Sequence, residues 1–394
     1  MSGDRVLSIT HVITGLEIGG AEMMLYKLLS HTDRNCFASD VISLTELGPV
    51  GEKIQALGYT VHALEMKRGI PDLKSLWRLT RLLRRQRPDV IQTWMYHSDL
   101  IGGIAARLAG VRAVAWGIRQ SNLDRQNHRR TTLWTAKACA LLSRILPARI
   151  VCCSESARIS HQAFGYSGRK MRVIPNGFDL NAFRPDSAAR ISVHEELDLP
   201  VESRLIGLVG RFDPQKDHHN FVQAAERLHA QHPDVHFLLC GGEIEWSNET
   251  LGGWIKQAGM ESRFHLLGRR SDTPRLTAAM DIASLSSLGE GFPNVVGEAM
   301  ACGVVCAVTD VGDAAYLVGD TGRIAPARNP EALANAWHEL LMLTEEERQR
   351  LGASARERVQ QLFSLPAIVA QYEALYREMR THVRPDRLST TLPR

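Results

Sequence analysis

Ser286-Ser287-Leu288-Gly289-Glu290-Gly291-Phe292-Pro293-Asn294-Val295-Val296-Gly297-Glu298-Ala299-Met300 is the stretch on which the reading of this chain turns. It follows the strand-like run Ile282–Leu285, so a strand delivers the chain into a glycine-flanked loop. Pro293 falls where a first helical residue tolerates a missing N–H, and Pro293–Cys302 reads as a helix. Free backbone amides at that helix start, reinforced by the helix dipole, make an anion site suited to a pyrophosphate. Glu290 lies in the loop before the helix, and Glu298 about one and a half turns inside it. A carboxylate accepts two hydroxyl hydrogen bonds at once, which is what ribose or sugar diols need. A purely structural reading, with Glu290 serving the helix dipole and Glu298 solvated, leaves Gly289, Gly291, Gly297 and the apolar neighbours of Glu298 unexplained.

Outward from this phrase the chain alternates β-branched runs with amphipathic helical segments, the pattern of a parallel α/β sheet. In the first half the strand-like runs are Val6–Ile13, Ala38–Leu44, Val61–Leu64, Val90–Thr93, Ala113–Trp116, Ile150–Cys153 and Arg172–Ile174. Helical stretches between them include Ala21–Ser30, Leu73–Arg87, Leu100–Leu108, Leu133–Leu146 and Ser154–Phe164. Turn formers at Pro175-Asn176-Gly177 break the rhythm, and a second series opens at Leu205–Val209 and runs through His236–Leu239, Phe264–Leu266, Ile282–Leu285 and Val304–Val308. Its helices are expected at Asn220–Gln231, Arg275–Met280 and Pro330–Leu343, with two long helical patterns, Glu345–Leu362 and Leu365–Thr381, near the end. This predicts two domains of one class with a hinge between about Pro175 and Pro200. A chain of 394 residues suits two such cores better than one.

Glu290 and Glu298, in the phrase that continues to Gly303 and Thr309-Asp310-Val311-Gly312, resemble the E-x7-E signature of the retaining GT-B glycosyltransferases of family 4. The resemblance runs over nearly the full length. It implies an α/β GT-B fold: two Rossmann-like domains with parallel sheets facing across a cleft, and a C-terminal helix returning to the N-terminal domain. The expected divisions are an acceptor-side domain at 1–178, a nucleotide-sugar domain at 200–364, a crossover helix at 365–382 and a flexible tail at 383–394. By position in the motif, Glu298 inherits the nucleotide ribose and Glu290 the donor sugar. Gly291, Phe292, Pro293 and Asn294 complete the donor-binding loop.

Three other segments agree. Val209-Gly210-Arg211-Phe212-Asp213-Pro214-Gln215-Lys216 follows a strand, at the end of a sheet where α/β folds bind ligands. Arg211 and Lys216 there suit a diphosphate and the charge that grows as it leaves, and the family uses matching residues so. Gly19 and Gly20, after the first strand, resemble the glycine loop whose backbone approaches donor phosphates and acceptor. His97 ends another strand, where the matching position lines the catalytic pocket and contacts the donor sugar. Arg119 also follows a strand end and is a candidate for holding acceptor or phosphate. Gly241-Gly242-Glu243-Ile244-Glu245-Trp246-Ser247-Asn248 departs from the compact turn many members carry near the base pocket.

The resemblance implies a metal-independent, retaining transfer in which the leaving phosphate accepts the acceptor's proton. No cofactor is expected beyond the nucleotide-diphosphate sugar as co-substrate, and no Asp-x-Asp ends a strand. The seven cysteines form no CxxC pair and are expected to be free. No signal peptide or spanning run is evident, so a cytoplasmic enzyme is expected.

Net charge of +4 hides an asymmetry: through Phe178 there are 25 Lys and Arg against 13 Asp and Glu, and beyond it 22 against 30. Leu73–Arg87 around Trp77 and Arg125–Arg149 around Trp134 are basic and amphipathic, a pattern that suits the anionic inner face of a plasma membrane. No zinc-finger, RNP-type or helix-turn-helix signal points to nucleic acid. The expected partners are therefore a nucleotide-sugar donor, a glycan or lipid-linked acceptor and an anionic membrane surface, in cell-envelope polysaccharide synthesis. Two alternatives stay open: a nucleotide-sugar epimerase of the same architecture, and a non-catalytic nucleotide-sugar-binding scaffold. A nicotinamide oxidoreductase lacks its glycine fingerprint.

Overall fold

The computed structural model describes residues 5–66, 73–121, 123 and 130–383. Arg125–Arg129 of the second basic segment, and the tail from residue 384, lie outside the described residues. The chain divides into two units, one running to Gly177 and resuming at Leu365, the other Phe178–Ser364.

The first unit holds a parallel sheet of β1 (Leu7–Ile13), β2 (Phe37–Ser43), β3 (Thr60–Ala63), β4 (Val90–Trp94), β5 (Val114–Ile118), β6 (Arg149–Cys152) and β7 (Met171–Val173). Their order across the sheet is β3-β2-β1-β4-β5-β6-β7. The second unit holds β8 (Arg204–Val209), β9 (Val235–Cys240), β10 (Phe264–Leu266), β11 (Ile282–Leu285), β12 (Val305–Thr309) and β13 (Gly322–Ala325). These are again parallel, in the order β10-β9-β8-β11-β12-β13. Both sheets thus reverse direction beside their first strand, between β1 and β4 and between β8 and β11. In open α/β sheets ligands bind beyond the carboxyl ends of the strands at that reversal.

Strand periodicity explains the layers. In β1, Ile9 and Ile13 enter one core and Val12 the other; in β4, Val90 and Trp94 oppose Ile91. The same alternation separates Leu238 and Cys240 from Phe237 and Leu239 in β9. Each fully buried aliphatic side chain contributes about 1.5–3 kcal/mol, so a register slip is costly. The helix Leu365–Val383 lays Leu365, Ile368, Val369, Tyr372, Leu375 and Tyr376 into one core of the first sheet.

Four details differ from the sequence expectation. From Phe178 on, the stretch read as a hinge belongs to the second unit: Phe178, Phe183 and Val193 enter its core. Within it, helix Ser187–Glu196 is capped by Asp186, whose carboxylate accepts from Ala188 N and Ala189 N. The boundary therefore sits at Gly177, where the turn formers are. The helix expected from Leu100 begins at Tyr96, because the chain turns sharply at Met95. Pro293 is the extended cap of a helix starting at Asn294, not its first residue. Short strand β13 and helix Glu249–Gln257 carry too weak a pattern to be read from sequence.

Candidate functional site

At the β8/β11 reversal two loops are stitched together. After β8, Gly210 N donates to Cys240 O at 2.8 Å. The chain enters a 3-10 turn, Pro214–Lys216, capped by Asp213, which accepts from Gln215 N at 2.9 Å. After β11, Leu288 N donates to Gln215 O at 2.7 Å, and Ser286 Oγ donates to the Lys216 carbonyl at 2.7 Å. Across this seam Lys216 Nζ meets Glu290 Oε1 at 2.6 Å, and Ser287 Oγ donates to the same oxygen at 2.7 Å. Ser286 and Ser287 are fully buried. They belong to the quoted phrase, but the sequence gives no sign that their hydroxyls carry the Lys216–Glu290 pair.

The Glu290 loop is closed from behind by the segment after β12. Gly312 has φ +58, and a Cβ there would lie 2.2 Å from the Glu290 carbonyl oxygen, so only glycine fits. Asp313 N donates to Gly291 O at 3.2 Å. Phe292, expected among the donor contacts, turns its side chain into the core, stacked on Phe178 at 6.1 Å and packed on Phe363. It supports the loop from beneath. Gly297 lies against the Phe178 ring, which a Cβ would approach to 2.1 Å. Gly291, Asn294 and Glu298 are half-buried on the loop and the helix Asn294–Ala301.

Arg211 does not join the Lys216–Glu290 pair. Its side chain is 69% exposed and bonds Asp213 at 2.9–3.0 Å. Burial raises the Asp213 carboxyl, but the Gln215 amide and Arg211 outweigh it and hold it below its ordinary value. The divergent loop after β9 abuts this segment: Gly241 passes so close to Gly210 that a Cβ would lie 2.0 Å from its carbonyl oxygen, and Phe212 N donates to Gly242 O. Buried His218, just beyond Lys216, is held neutral; burial, then Lys216, lower it to about 4.

At the β1/β4 reversal the furnishing differs. Thr14 Oγ1 and Ser98 Oγ lie 2.9 Å apart, joining the end of β1 to the start of helix Tyr96–Leu108. Gly19 is the extended cap of helix Gly20–His31, and Gly20 is exposed. His97 sits half-buried in the first turn after β4, its pKa lowered by burial. Met95 holds φ 73 and ψ 158, a region almost reserved for glycine, which costs about 1–3 kcal/mol. Arg119 is engaged within the first unit: it donates to Tyr372 Oη at 3.1 Å and to Asn176 Oδ1, and lies over the Trp94 ring at 5.1 Å. These bonds tie the C-terminal helix to the sheet.

All seven cysteines are free. Among the described residues no helix is long and apolar enough to cross a membrane.

Known proteins resemble the chain along this frame. Residues 18–182 match the family described as Glycosyltransferase Family 4, and residues 203–342 the one described as Glycosyl transferases group 1. The UDP-Gal:alpha-D-GlcNAc-diphosphoundecaprenol alpha-1,3-galactosyltransferase of Escherichia coli is 30% identical over 245 residues, 61% of this chain and 63% of that one. A D-inositol 3-phosphate glycosyltransferase of Corynebacterium glutamicum is 30% identical over 219 residues, 53% of this chain and 52% of that one. The chain thus spans about half to two-thirds of these curated relatives' lengths. The crystal structure of Anabaena Alr3699/HepE with UDP and glucose aligns with TM-score 0.82 at 21% identity, covering 94% of this chain and 100% of that one. Sucrose-phosphate synthase from Thermosynechococcus elongatus aligns with TM-score 0.78 at 21% identity, covering 95% and 100%. At such identity the likeness establishes the fold.

Proposed function

The chain belongs to the family 4 and group 1 glycosyltransferases, and on that premise we propose that it moves a sugar, with retention, from a nucleotide-diphosphate donor to a lipid-linked glycan. The observation that carries this reading is the Lys216–Glu290 pair, supported by Ser286 and Ser287 at the β8/β11 reversal. An incoming diphosphate takes over the Lys216 ammonium, which frees the Glu290 carboxylate to accept donor-sugar hydroxyls. The N-terminal amides of helix Asn294–Ala301 face the same charge, and Glu298 takes the ribose. Exposed Arg211 exchanges Asp213 for phosphate.

In the transfer the bond from the anomeric carbon to the leaving phosphate oxygen breaks, and the bond to the acceptor oxygen forms on the same face. The acceptor's proton passes to that phosphate oxygen. Lys216 and Arg211 carry the growing negative charge without a metal. In the first unit Gly19, Gly20 and His97 serve donor and acceptor, and Arg119 steadies their frame. The E. coli relative's acceptor is a diphosphoundecaprenol-linked sugar by name, which favours a lipid-linked acceptor in envelope polysaccharide synthesis.

That acceptor class fits a membrane-facing surface on the first unit. Helix Leu73–Gln86 exposes Leu73 and Trp77 beside Arg81, and helix Arg130–Leu142 exposes Trp134 beside Lys137, with Leu141 and Ile145 following. Anionic lipid on the inner leaflet offers both the charge and the apolar boundary these side chains need.

A thermal-shift panel of UDP-, GDP- and ADP-sugars without metal tests the donor site, with Glu298→Ala alongside. Stabilisation by one nucleotide, lost in the variant, is expected, followed by sugar transfer to a diphosphoprenol acceptor. Sugar interconversion without acceptor, or binding without transfer, overturns the reading. Co-sedimentation with anionic vesicles is expected for the wild type and is reduced in Trp77→Ala/Trp134→Ala.

A further inference from the structure

His97 follows a turn that is held against its own preference. Met95 occupies a glycine-type conformation, and both chain neighbours are locked. Trp94 is fully buried, donates from Nε1 to His11 Nδ1 at 3.3 Å and stacks on Tyr372. Tyr96 Oη lies 2.6 Å from His161 Nε2; because His161 Nδ1 faces the Ala157 carbonyl at 2.7 Å, the tyrosine is the donor. Met95 N donates to Gly117 O at 2.9 Å, and Met95 O accepts from Asp99 N at 2.9 Å.

Asp99 closes the loop of constraints. Its side chain is fully buried, and Oδ1 accepts from Thr93 Oγ1 at 2.5 Å and from Gly117 N at 3.1 Å. One residue thus joins β4 and β5 through its carboxyl and reaches the Met95 carbonyl through its backbone N–H, two positions beyond His97. The approach is close enough that a Cβ on Gly117 would lie 2.5 Å from Thr93 O, and one on Gly102 would lie 2.9 Å from Thr93 Cγ2. Burial raises the Asp99 carboxyl to about 8, so at neutral pH it is largely protonated. A neutral acid accepts both bonds without placing a bare charge in the core.

We propose that Asp99 is a positioning residue: its carboxyl, through Thr93 and through Gly117, whose carbonyl accepts from Met95 N, holds the strained turn at Met95, and thereby fixes where His97 presents its imidazole. The inference rests on the transferase reading for its kinetic consequence only. The strain makes the mechanism distinctive. Once Asp99 is removed, Met95 relaxes toward negative φ and carries His97 with it. A glycine at 95 has no reason to relax, so it retains the turn even without its clamp.

The test is a double-mutant cycle. Asp99→Ala is expected to lower kcat roughly 10- to 100-fold, with nucleotide binding by the second unit unchanged. Asp99→Ala/Met95→Gly is expected to recover several-fold of that loss, and Asp99→Asn, which keeps the acceptor oxygen, to lose less than Asp99→Ala. In parallel, the His97 imidazole is titrated by NMR: its pKa rises toward the ordinary histidine value in Asp99→Ala and returns in the double variant. Losses that multiply in the double variant, or an unmoved His97 titration in Asp99→Ala, overturn the proposal. If Asp99→Ala fails to fold, Thr93→Val takes its place in the cycle. If the wild type transfers no sugar, the transferase reading fails by itself, and the His97 titration still decides the turn.

Discussion

In the first sheet the residue at the strand reversal, His97, is aimed by backbone: a turn at Met95 held in a glycine-type conformation, closed by the buried Asp99. In the second sheet the corresponding residue, Glu290, is aimed by side chains, through Lys216 Nζ and Ser287 Oγ. The first six strands of each unit follow the same order beneath them. A ligand anion can take Lys216 away from Glu290 and leave every backbone bond in place. The backbone that carries His97 is held instead by the bonds around the Met95 turn. One scaffold therefore carries an ion pair in one unit and a backbone-held turn in the other, a difference that suits the anionic donor proposed above.

The largest expected effect tests the exchangeable half. Lys216→Ala is expected to reduce transfer on the order of 10²–10³-fold, the usual consequence of removing a group that meets developing charge. Stability should fall as well, because the pair's side chains are only 23% and 15% exposed and the substitution takes the Lys216 charge away from a largely buried carboxylate; transfer is therefore compared per folded enzyme. A loss below threefold in a steady-state assay would place the charge stabilisation elsewhere. Next comes the frame. Gly297→Ala forces a Cβ to within 2.1 Å of the Phe178 ring and should cost about 3 kcal/mol in denaturant melts. Gly312→Ala adds the positive-φ penalty and should also displace Glu290, so its activity should fall further than its stability alone explains. Gly117→Ala, with its Cβ 2.5 Å from Thr93 O, is the matching change in the first sheet.

Glu290, Glu298, Arg211 and Lys216 were legible because each sits in a contiguous run whose neighbours fix its element: strand, glycine loop, helix. The strands were legible from their β-branched runs, since a parallel sheet covered on both faces needs them. Ser286 and Asp99 were not, because their importance lies in partners distant along the chain: Lys216 O, 70 positions away, and Gly117 N, 18 away; Ser287 bonds Glu290 three positions on, but that oxygen matters through distant Lys216. A serine's composition does not reveal which carbonyl it meets. Met95 gave the opposite signal, since a methionine predicts no glycine-type turn. That is why the following helix was expected at Leu100, not Tyr96. Helix Ser187–Glu196 was concealed by the turn residues before it and by its shortness.

The last test sets Asp99 against the buried histidines by pH. In the first, Asp99 is raised to about 8 by burial, so between about 4 and 8 the folded chain keeps a proton that the unfolded chain releases. Folding stability therefore falls as pH rises through that window, by at most about 1.4 kcal/mol per pH unit. The buried histidines act with the opposite sign. His161 in the first unit, and His218 and His236 in the second, are each lowered to about 4, chiefly by burial. Below about 6.5 the unfolded chain takes up protons that these side chains refuse, and stability falls as pH falls toward 4. Between about 6.5 and 8 the histidine contribution is spent and that of Asp99 remains. Asp99→Asn removes the titrating proton while keeping the oxygen that accepts from Thr93 and Gly117. Urea melts of both proteins at half-unit steps from pH 4 to 8 should show the alkaline slope vanish in the variant and the acid limb persist. An alkaline slope that survives the substitution would mean that Asp99 is ionised at neutral pH. The turn at Met95 would then be held by a buried charge, and the contrast with the Lys216–Glu290 pair would be one of burial, not of charge.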